Sequence, residues 1–307
     1  MSSASKKRKS DEEDTPEEEE GRTEKKKSKK DKKKKEKHFW KGWPTKLIRK
    51  VTLVNEAEDR LPVHTLTFEI PTPATSSSST TTSEDKMIPH TSVCMELGDV
   101  VKMVIPGYKP KSYSMCRKTD QEFDLTLKVY PDGRASGYLD RLAVGDTVGS
   151  FGLRKNKQHN PGAFVGIICF GVGITEGLPV ARAQLALEDG TTKVVLLWAS
   201  RTTADTFWKD SIQQLQEQYP NKFQMVHILS REEKEECLHG RINPQILGQV
   251  FRPDDKAQAR FVSVGTKEMM KQTDQMLLQL GYTFPQNLLL PKQQEETKEG
   301  GKQEEED

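Results

Sequence analysis

The chain has 307 residues, with 48 Lys and Arg against 46 Asp and Glu, a net charge of +2, and only 33% apolar residues. Its four cysteines, Cys94, Cys116, Cys169 and Cys237, form no C-x-x-C pair and its six histidines no HExxH or H-x3-H grouping, which excludes a disulfide scaffold and leaves no ligand pattern for a structural metal or an iron–sulfur cluster. No apolar run approaches the ~20 residues that cross a bilayer, and no apolar core follows the first basic residues, so no membrane span or signal peptide is expected and the location is read as cytoplasmic or nuclear.

Residues 1–38 open the chain as a Lys/Glu-rich tail. Up to Lys37 they offer no aromatic and almost nothing apolar, so burial cannot offset their ordering entropy and disorder is expected. The basic clusters, Lys6 to Lys9 and Lys25 to Lys37, suit a nuclear-import signal or sequence-independent binding of nucleic acid or anionic lipid. No aromatic interleaves the lysines, which argues against base stacking and against nucleic acid as the partner. A solubilising tail whose charges partly cancel is the plainer alternative. Residues 292–307, polar and mostly acidic, are read as a second disordered tail.

From Lys46 to Val148 the signal is β. Lys46 to Val54, Val63 to Ile70, Val100 to Val104, Phe123 to Val129 and Asp146 to Gly149 are short apolar or β-branched runs separated by Gly, Pro, Asp and Asn. That spacing predicts an antiparallel barrel or sandwich over residues 39–158, interrupted by a Ser/Thr surface loop at 74–83. Lys111-Ser112-Tyr113-Ser114 should be extended, with Lys111 and Tyr113 on one face and the serines on the other. A cation and an aromatic so placed could hold a phosphorylated ring cofactor, or simply form an edge strand. Gly133-Arg134-Ala135-Ser136 precedes the helical pattern Tyr138, Leu139, Leu142. Ser136 is the expected N-cap there, with Arg134 beside an anion-accepting helix start.

Residues 159–291 change character to α/β. Val165 to Cys169 is a short apolar run rich in β-branched residues, followed at once by Gly171 and Gly173 and then by Leu178, Ala181, Ala183, Leu185 and Leu187 in an alanine-rich stretch. That order predicts a buried parallel strand, a tight glycine turn and a helix packed on the sheet. Such a junction aims backbone N–H groups and a helix dipole at one point, where a phosphate fits, although a plain βα turn has the same look. The spacing departs from G-x-G-x-x-G, because Gly177 comes one residue late. The next strand, Lys193 to Ala199, ends in Ser200-Arg201 rather than in a ribose-binding carboxylate.

Taken together and in this order, the patches resemble the ferredoxin-NADP reductase superfamily, including its cytochrome b5 reductase and nitrate reductase flavin modules. The family's R-x-Y-[ST] motif corresponds to Lys111 to Ser114, its G-x-x-S to Gly133 to Ser136, and its G-x-G-I-[TA] loop to Gly171-Val172-Gly173-Ile174-Thr175. The segment ASRTTADTFWKDSIQQL looks like the stretch after the second nucleotide-domain strand, and FVSVGTKEMMKQTDQMLLQLGY, with Gly265, like the late C-G-P-x-x-M segment. The resemblance implies an antiparallel flavin-binding barrel followed by a parallel-sheet nicotinamide-nucleotide domain. It also implies a reductase that passes electrons from NADPH or NADH through FAD, with FMN the alternative, to an acceptor outside the chain: a haem protein, an iron–sulfur protein or a small molecule. By the same resemblance Tyr113 lies against the flavin ring and Ser114 near its redox nitrogen, the two positions given a catalytic role. Lys111 and Ser136 hold flavin phosphate, Gly171, Gly173 and Thr175 receive the nucleotide, and Ser200 and Arg201 sit at its adenosine end, where a positive charge suits a 2'-phosphate.

The departures are as specific as the matches. Lys111 replaces arginine, so a planar two-bond grip becomes a point charge. Phe170 replaces a small residue, Glu176 stands where the family has proline and competes with phosphate for the helix dipole, and Val264 occupies the place of a cysteine. Leu288-Leu289-Leu290 leads into the tail where the family ends in an aromatic. These departures raise an alternative, a catalytically degenerate reductase-like interaction module.

Overall fold

The computed structural model describes residues 37–70, 99–154, 157–187, 192–282 and 287–291. The expected tails up to residue 36 and from residue 292, the Ser/Thr stretch at 74–83 and Cys94 lie outside the described residues.

The first half supplies β1 (Lys37–Val54), β2 (Val63–Glu69), β3 (Val100–Met103), β4 (Lys111–Ser114), β5 (Arg117–Lys118), β6 (Glu122–Lys128), α1 (Arg134–Asp140) and β7 (Thr147–Arg154). The strands form a seven-stranded antiparallel sheet in the order β4-β3-β7-β1-β2-β6-β5. Its two ends, β4 and β5, are consecutive in the chain, and the Cys116 N–H donates to Asp124 O at 3.0 Å, so the sheet curls into a barrel. Inward residues alternate as a pleated strand requires: Leu66 and Phe68 on β2, Val101 and Met103 on β3, Phe123, Leu125 and Leu127 on β6 are all buried. Phe68 and Phe123 stack with centroids 5.4 Å apart, and Ala135 and Leu139 of α1 close the core.

β1 starts at Lys37 rather than Lys46. Its first half pairs with β7 from Lys37 to Lys46 and its second with β2 from Leu47 to Val54. Gly42 and Pro44 interrupt the alternation in the first half, so Lys37 and His38, grouped by composition with the tail, belong to a strand.

The second half supplies β8 (Lys157–His159), β9 (Phe164–Phe170), α2 (Ile174–Leu185), β10 (Lys193–Ser200), α3 (Lys209–Gln218), β11 (Phe223–Leu229), β12 (Leu238–His239), α4 (Pro244–Val250), β13 (Ala259–Val264), α5 (Lys267–Gln279) and β14 (Leu289–Pro291). β9 to β13 form a five-stranded parallel sheet in the order β12-β11-β10-β9-β13. Val165, Ile167 and Cys169 of β9 pack with α2 and α3, while Phe164 and Ile168 pack with α4 and α5. Burial on both faces explains the unbroken apolar run. A Cβ at Gly166 would come within 2.4 Å of the Phe261 ring, and that gap admits the edge-on Phe251–Phe261 pair. Leu187, read with the helix, falls beyond the end of α2.

β14 pairs with β8, and Leu288 exchanges backbone bonds with Asn160 and Phe261. The described chain thus ends near the N-terminal ends of β9 and β13, away from the glycine turn at their C-terminal ends. The described residues belong to one compact unit, and the two sheets share a cleft. Among the described residues no helix is long and apolar enough to cross a membrane.

Candidate functional site

The site starts where β9 stops. After Phe170 the chain makes a 3-10 turn over Gly171–Gly173 and enters α2 at Ile174. Gly171 has φ +53°, a left-handed conformation that favours glycine, and a Cβ there would meet nothing within 4 Å, so its open side faces free space. Its carbonyl accepts the Trp198 indole N–H from β10 at 2.8 Å, which fixes the turn from below. The other two glycines serve close packing: a Cβ at Gly173 would lie 2.4 Å from Val264 O, and one at Gly177 would lie 2.1 Å from Cys169 Sγ. The late third glycine therefore seats α2 on β9. Burial, and secondarily the charge of Glu176, push the Cys169 thiol up and keep it protonated.

Across the cleft stands β4. Lys111 and Ser112 are exposed, Tyr113 and Ser114 half-buried, and all four line the cleft, because β4 is an edge strand with β3 as its one neighbour. Burial pushes the Tyr113 phenol up to about 12, so it is neutral and presents an aromatic face. Lys111 Nζ lies 5.6 Å and Arg134 Cζ 5.8 Å from the Tyr108 ring centroid, which brings a cation from β4 and one from the start of α1 to the same aromatic.

Ser136 is not the N-cap. Gly133 holds that position, and Ser136 lies inside the first turn, where its hydroxyl donates to Gly133 O and accepts from the Tyr130 N–H, both at 3.2 Å. A Cβ at Gly133 would sit 2.2 Å from that hydroxyl, so the glycine makes room for the serine to fold back. An anion here meets Arg134 and backbone N–H groups rather than the serine hydroxyl.

At the far end, β10 finishes in Ser200 and β11 leads into Ser230 and Arg231. Ser200 Oγ is buried with no hydrogen-bond partner among the described residues. Arg201 is not a free charge: its guanidinium grips Asp205 with two bonds, 3.0 Å from Nε and 2.8 Å from NH2. Lys128 of β6 reaches the same carboxylate at 3.9 Å, and burial pushes the Lys128 ammonium down. Arg231 and Arg241 also line the cleft, are exposed, and have no side-chain partner among the described residues.

These parts enclose one cleft of about 1360 Å³, larger than the roughly 300–1,000 Å³ of an ordinary small-molecule site. Lys111, Tyr113, Ser114, Gly133 to Ser136, Gly171 to Gly173, Thr175, Ser200, Arg201 and Gly265 all line it. Ile174 does not; it is the first residue of α2 and is fully buried. The two walls meet where Ser114 Oγ donates to Glu176 Oε2 at 2.7 Å and where Lys128 reaches Asp205 at 3.9 Å. Tyr108, Lys128, Trp198, Arg231 and Arg241 were not picked out from sequence. For Arg231 a signal existed: the Ser-Arg that ends β10 recurs as Ser230-Arg231 after β11.

A family model described as the oxidoreductase NAD-binding domain matches residues 167–275. NADH-cytochrome b5 reductase 1 of Homo sapiens is 32% identical over 161 residues, covering 43% of this chain and 52% of that protein. The chain spans from about a third to somewhat under two thirds of the length of the curated relatives it matches, 34% at the low end and 63% at the high end. The cytochrome b5 reductase domain of Ulva prolifera nitrate reductase superposes with a TM-score of 0.62 at 19% identity, covering 79% of this chain and 94% of that one. A ferredoxin NADP+ reductase from Neisseria gonorrhoeae with bound FAD and NADP gives 0.58 at 18% identity, covering 80% and 94%.

Proposed function

We propose that this chain is a member of the ferredoxin-NADP reductase superfamily and a flavin-dependent NAD(P)H oxidoreductase that passes electrons from nicotinamide through flavin to a separate acceptor, a reading supported by the NAD-binding family match and the reductase relatives. The observation that carries the proposal is the shared cleft. Tyr113 and Ser114 line one wall and Gly171 to Thr175 the other, with a hydrogen bond between Ser114 and Glu176 joining them.

The residues present fit a flavin. Lys111, Arg134 and the first-turn N–H groups of α1 offer the donors that a diphosphate needs, and the neutral Tyr113 ring offers a flat face beside them. Bound there, FAD supplies two-electron chemistry with nicotinamide and release of the electrons to an acceptor. The protein's own work is to bind, orient and exclude water. On this reading residues 39–158 form the flavin domain and 159–291 the nucleotide domain.

For the nucleotide, Gly171 and the start of α2 take the diphosphate, and the partnerless Ser200 hydroxyl takes a polar group of the adenosine half. The free cations at that end, Arg231 and Arg241, favour a nucleotide with a 2'-phosphate, hence NADPH over NADH. A haem protein is the acceptor class favoured by the relatives' names, and a cytoplasmic or nuclear location rests on the composition of the basic arm.

The test is an absorption spectrum of the purified chain followed by NADPH oxidation with an artificial one-electron acceptor. A flavin band and turnover are expected. Flavin without turnover would favour the degenerate module, to which Phe170 packed on Gly265 lends support. Absence of both flavin and nucleotide binding would end the proposal.

A further inference from the structure

Glu176 is the third residue of α2, yet its carboxylate reaches out of its own helix to Ser114 on β4. Several features fix it there. Gly177 presses so closely on Cys169 Sγ that the first turn of α2 is seated on β9. A carboxylate in that turn is favoured by the helix dipole. Ser114 commits its one hydroxyl proton to Oε2 at 2.7 Å, which sets the rotation of the carboxylate.

The other oxygen, Oε1, has no hydrogen-bond partner among the described residues, and Glu176 lines the cleft beside Thr175 and Gly173. An oriented carboxylate with a free oxygen only accepts, so it selects a ligand that brings N–H donors to this wall. On the reading proposed above, on which this step rests, the group delivered between β4 and the Gly171–Thr175 turn is nicotinamide. Its carboxamide carries two such N–H bonds.

We infer that Glu176 is a positioning and specificity residue, whose free carboxylate oxygen accepts the nicotinamide carboxamide N–H and sets the rotation of the ring against β4. The proline expected by family resemblance has no side-chain acceptor to do this.

Equilibrium titration of the full chain with NADP+ and with its 3-acetylpyridine analogue tests the role. The analogue replaces the amide NH2 with a methyl group and keeps the carbonyl. Wild type should bind the analogue about tenfold more weakly, the worth of a hydrogen bond to a charged acceptor. Glu176→Ala should bind the two within about twofold of each other. Glu176→Gln, which keeps a carbonyl oxygen, should retain part of the preference, and Ser114→Ala should lose part by releasing the carboxylate. The affinity ratio reports on the carboxamide alone, so a merely structural contribution of Glu176 would not move it. A wild type without preference, an unchanged ratio in Glu176→Ala, or equal tightening of both nucleotides in that variant would each overturn the inference. Binding of neither nucleotide by wild type would instead overturn the functional reading, and this inference with it.

Discussion

Trp198 holds Gly171 in place: the indole N–H, from the buried middle of the parallel sheet, donates to the carbonyl of the one glycine in the turn with positive φ, at 2.8 Å. Together with the backbone bonds that the Ile174 N–H makes to the turn, this bond sets where the N–H groups of the turn point. Trp198→Phe keeps an aromatic in the core but strips the donor. It should cost about 1–3 kcal/mol of stability and weaken NADP+ binding about tenfold, since the turn loses its tie to β10 and its carbonyl keeps only the local Ile174 N–H. Thermal unfolding with a parallel nucleotide titration checks this; a fall in melting temperature with unchanged affinity would show that the bond serves the core only.

The arginines at the adenosine end should separate by role. Arg201→Ala removes a guanidinium already committed to Asp205, so it should lower stability by about 1 kcal/mol and leave the NADPH to NADH preference nearly intact. Arg231→Ala removes a free cation and should reduce that preference about tenfold with little effect on stability. Binding constants for both nucleotides with each variant decide the matter. Loss of preference in Arg201→Ala would mean that the Asp205 pair opens when nucleotide binds.

Much of this site could be read from sequence, and the parts that could not have a physical reason. The strand, turn and helix around Gly171 were legible because a strand buried on both faces is apolar throughout and the turn needs glycines. The first half of β1 was not, because Gly42 and Pro44 break its alternation while β7 still supplies the pairing. Ser136 has the composition of a cap, but its hydroxyl turns back on Gly133, a choice made by room rather than by residue type. Arg201 reads as a free cation until Asp205, one helical turn later, is seen to be brought against it. Trp198 looks like any core residue of a strand, and nothing in its neighbours announces that its N–H has a distant partner.

Lys111 should limit flavin retention. A single ammonium near Tyr108 makes a point contact with phosphate, whereas a guanidinium would make two parallel bonds. Lys111→Arg is expected to raise the flavin retained per chain after gel filtration, and Lys111→Ala and Arg134→Ala each to weaken flavin binding about tenfold. The absorbance ratio of flavin to protein measures all three. Equal retention in every variant would place the phosphate elsewhere than between β4 and α1.

Acid should loosen the same turn that Trp198 fastens. His227 of β11 lies flat on the Trp198 ring, centroids 5.1 Å apart and planes 10° from parallel. Burial pushes its imidazole down to about 4 from 6.5, with Lys209 adding to the shift and Glu232 opposing it. Between those values the unfolded chain takes up a proton that the folded chain refuses, so stability is full above pH 6.5 and declines as the pH falls towards 4, by roughly 3 kcal/mol at most from this group. His227→Phe keeps the ring stacked on Trp198 and removes the titration. Urea unfolding at pH 7 and pH 4.5 should therefore show a smaller acid loss in the variant than in wild type. NADP+ affinity should follow, because a cation forced beneath Trp198 disturbs the residue that holds Gly171. Equal acid losses in the two proteins would assign the effect to other groups and leave His227 as a packing residue.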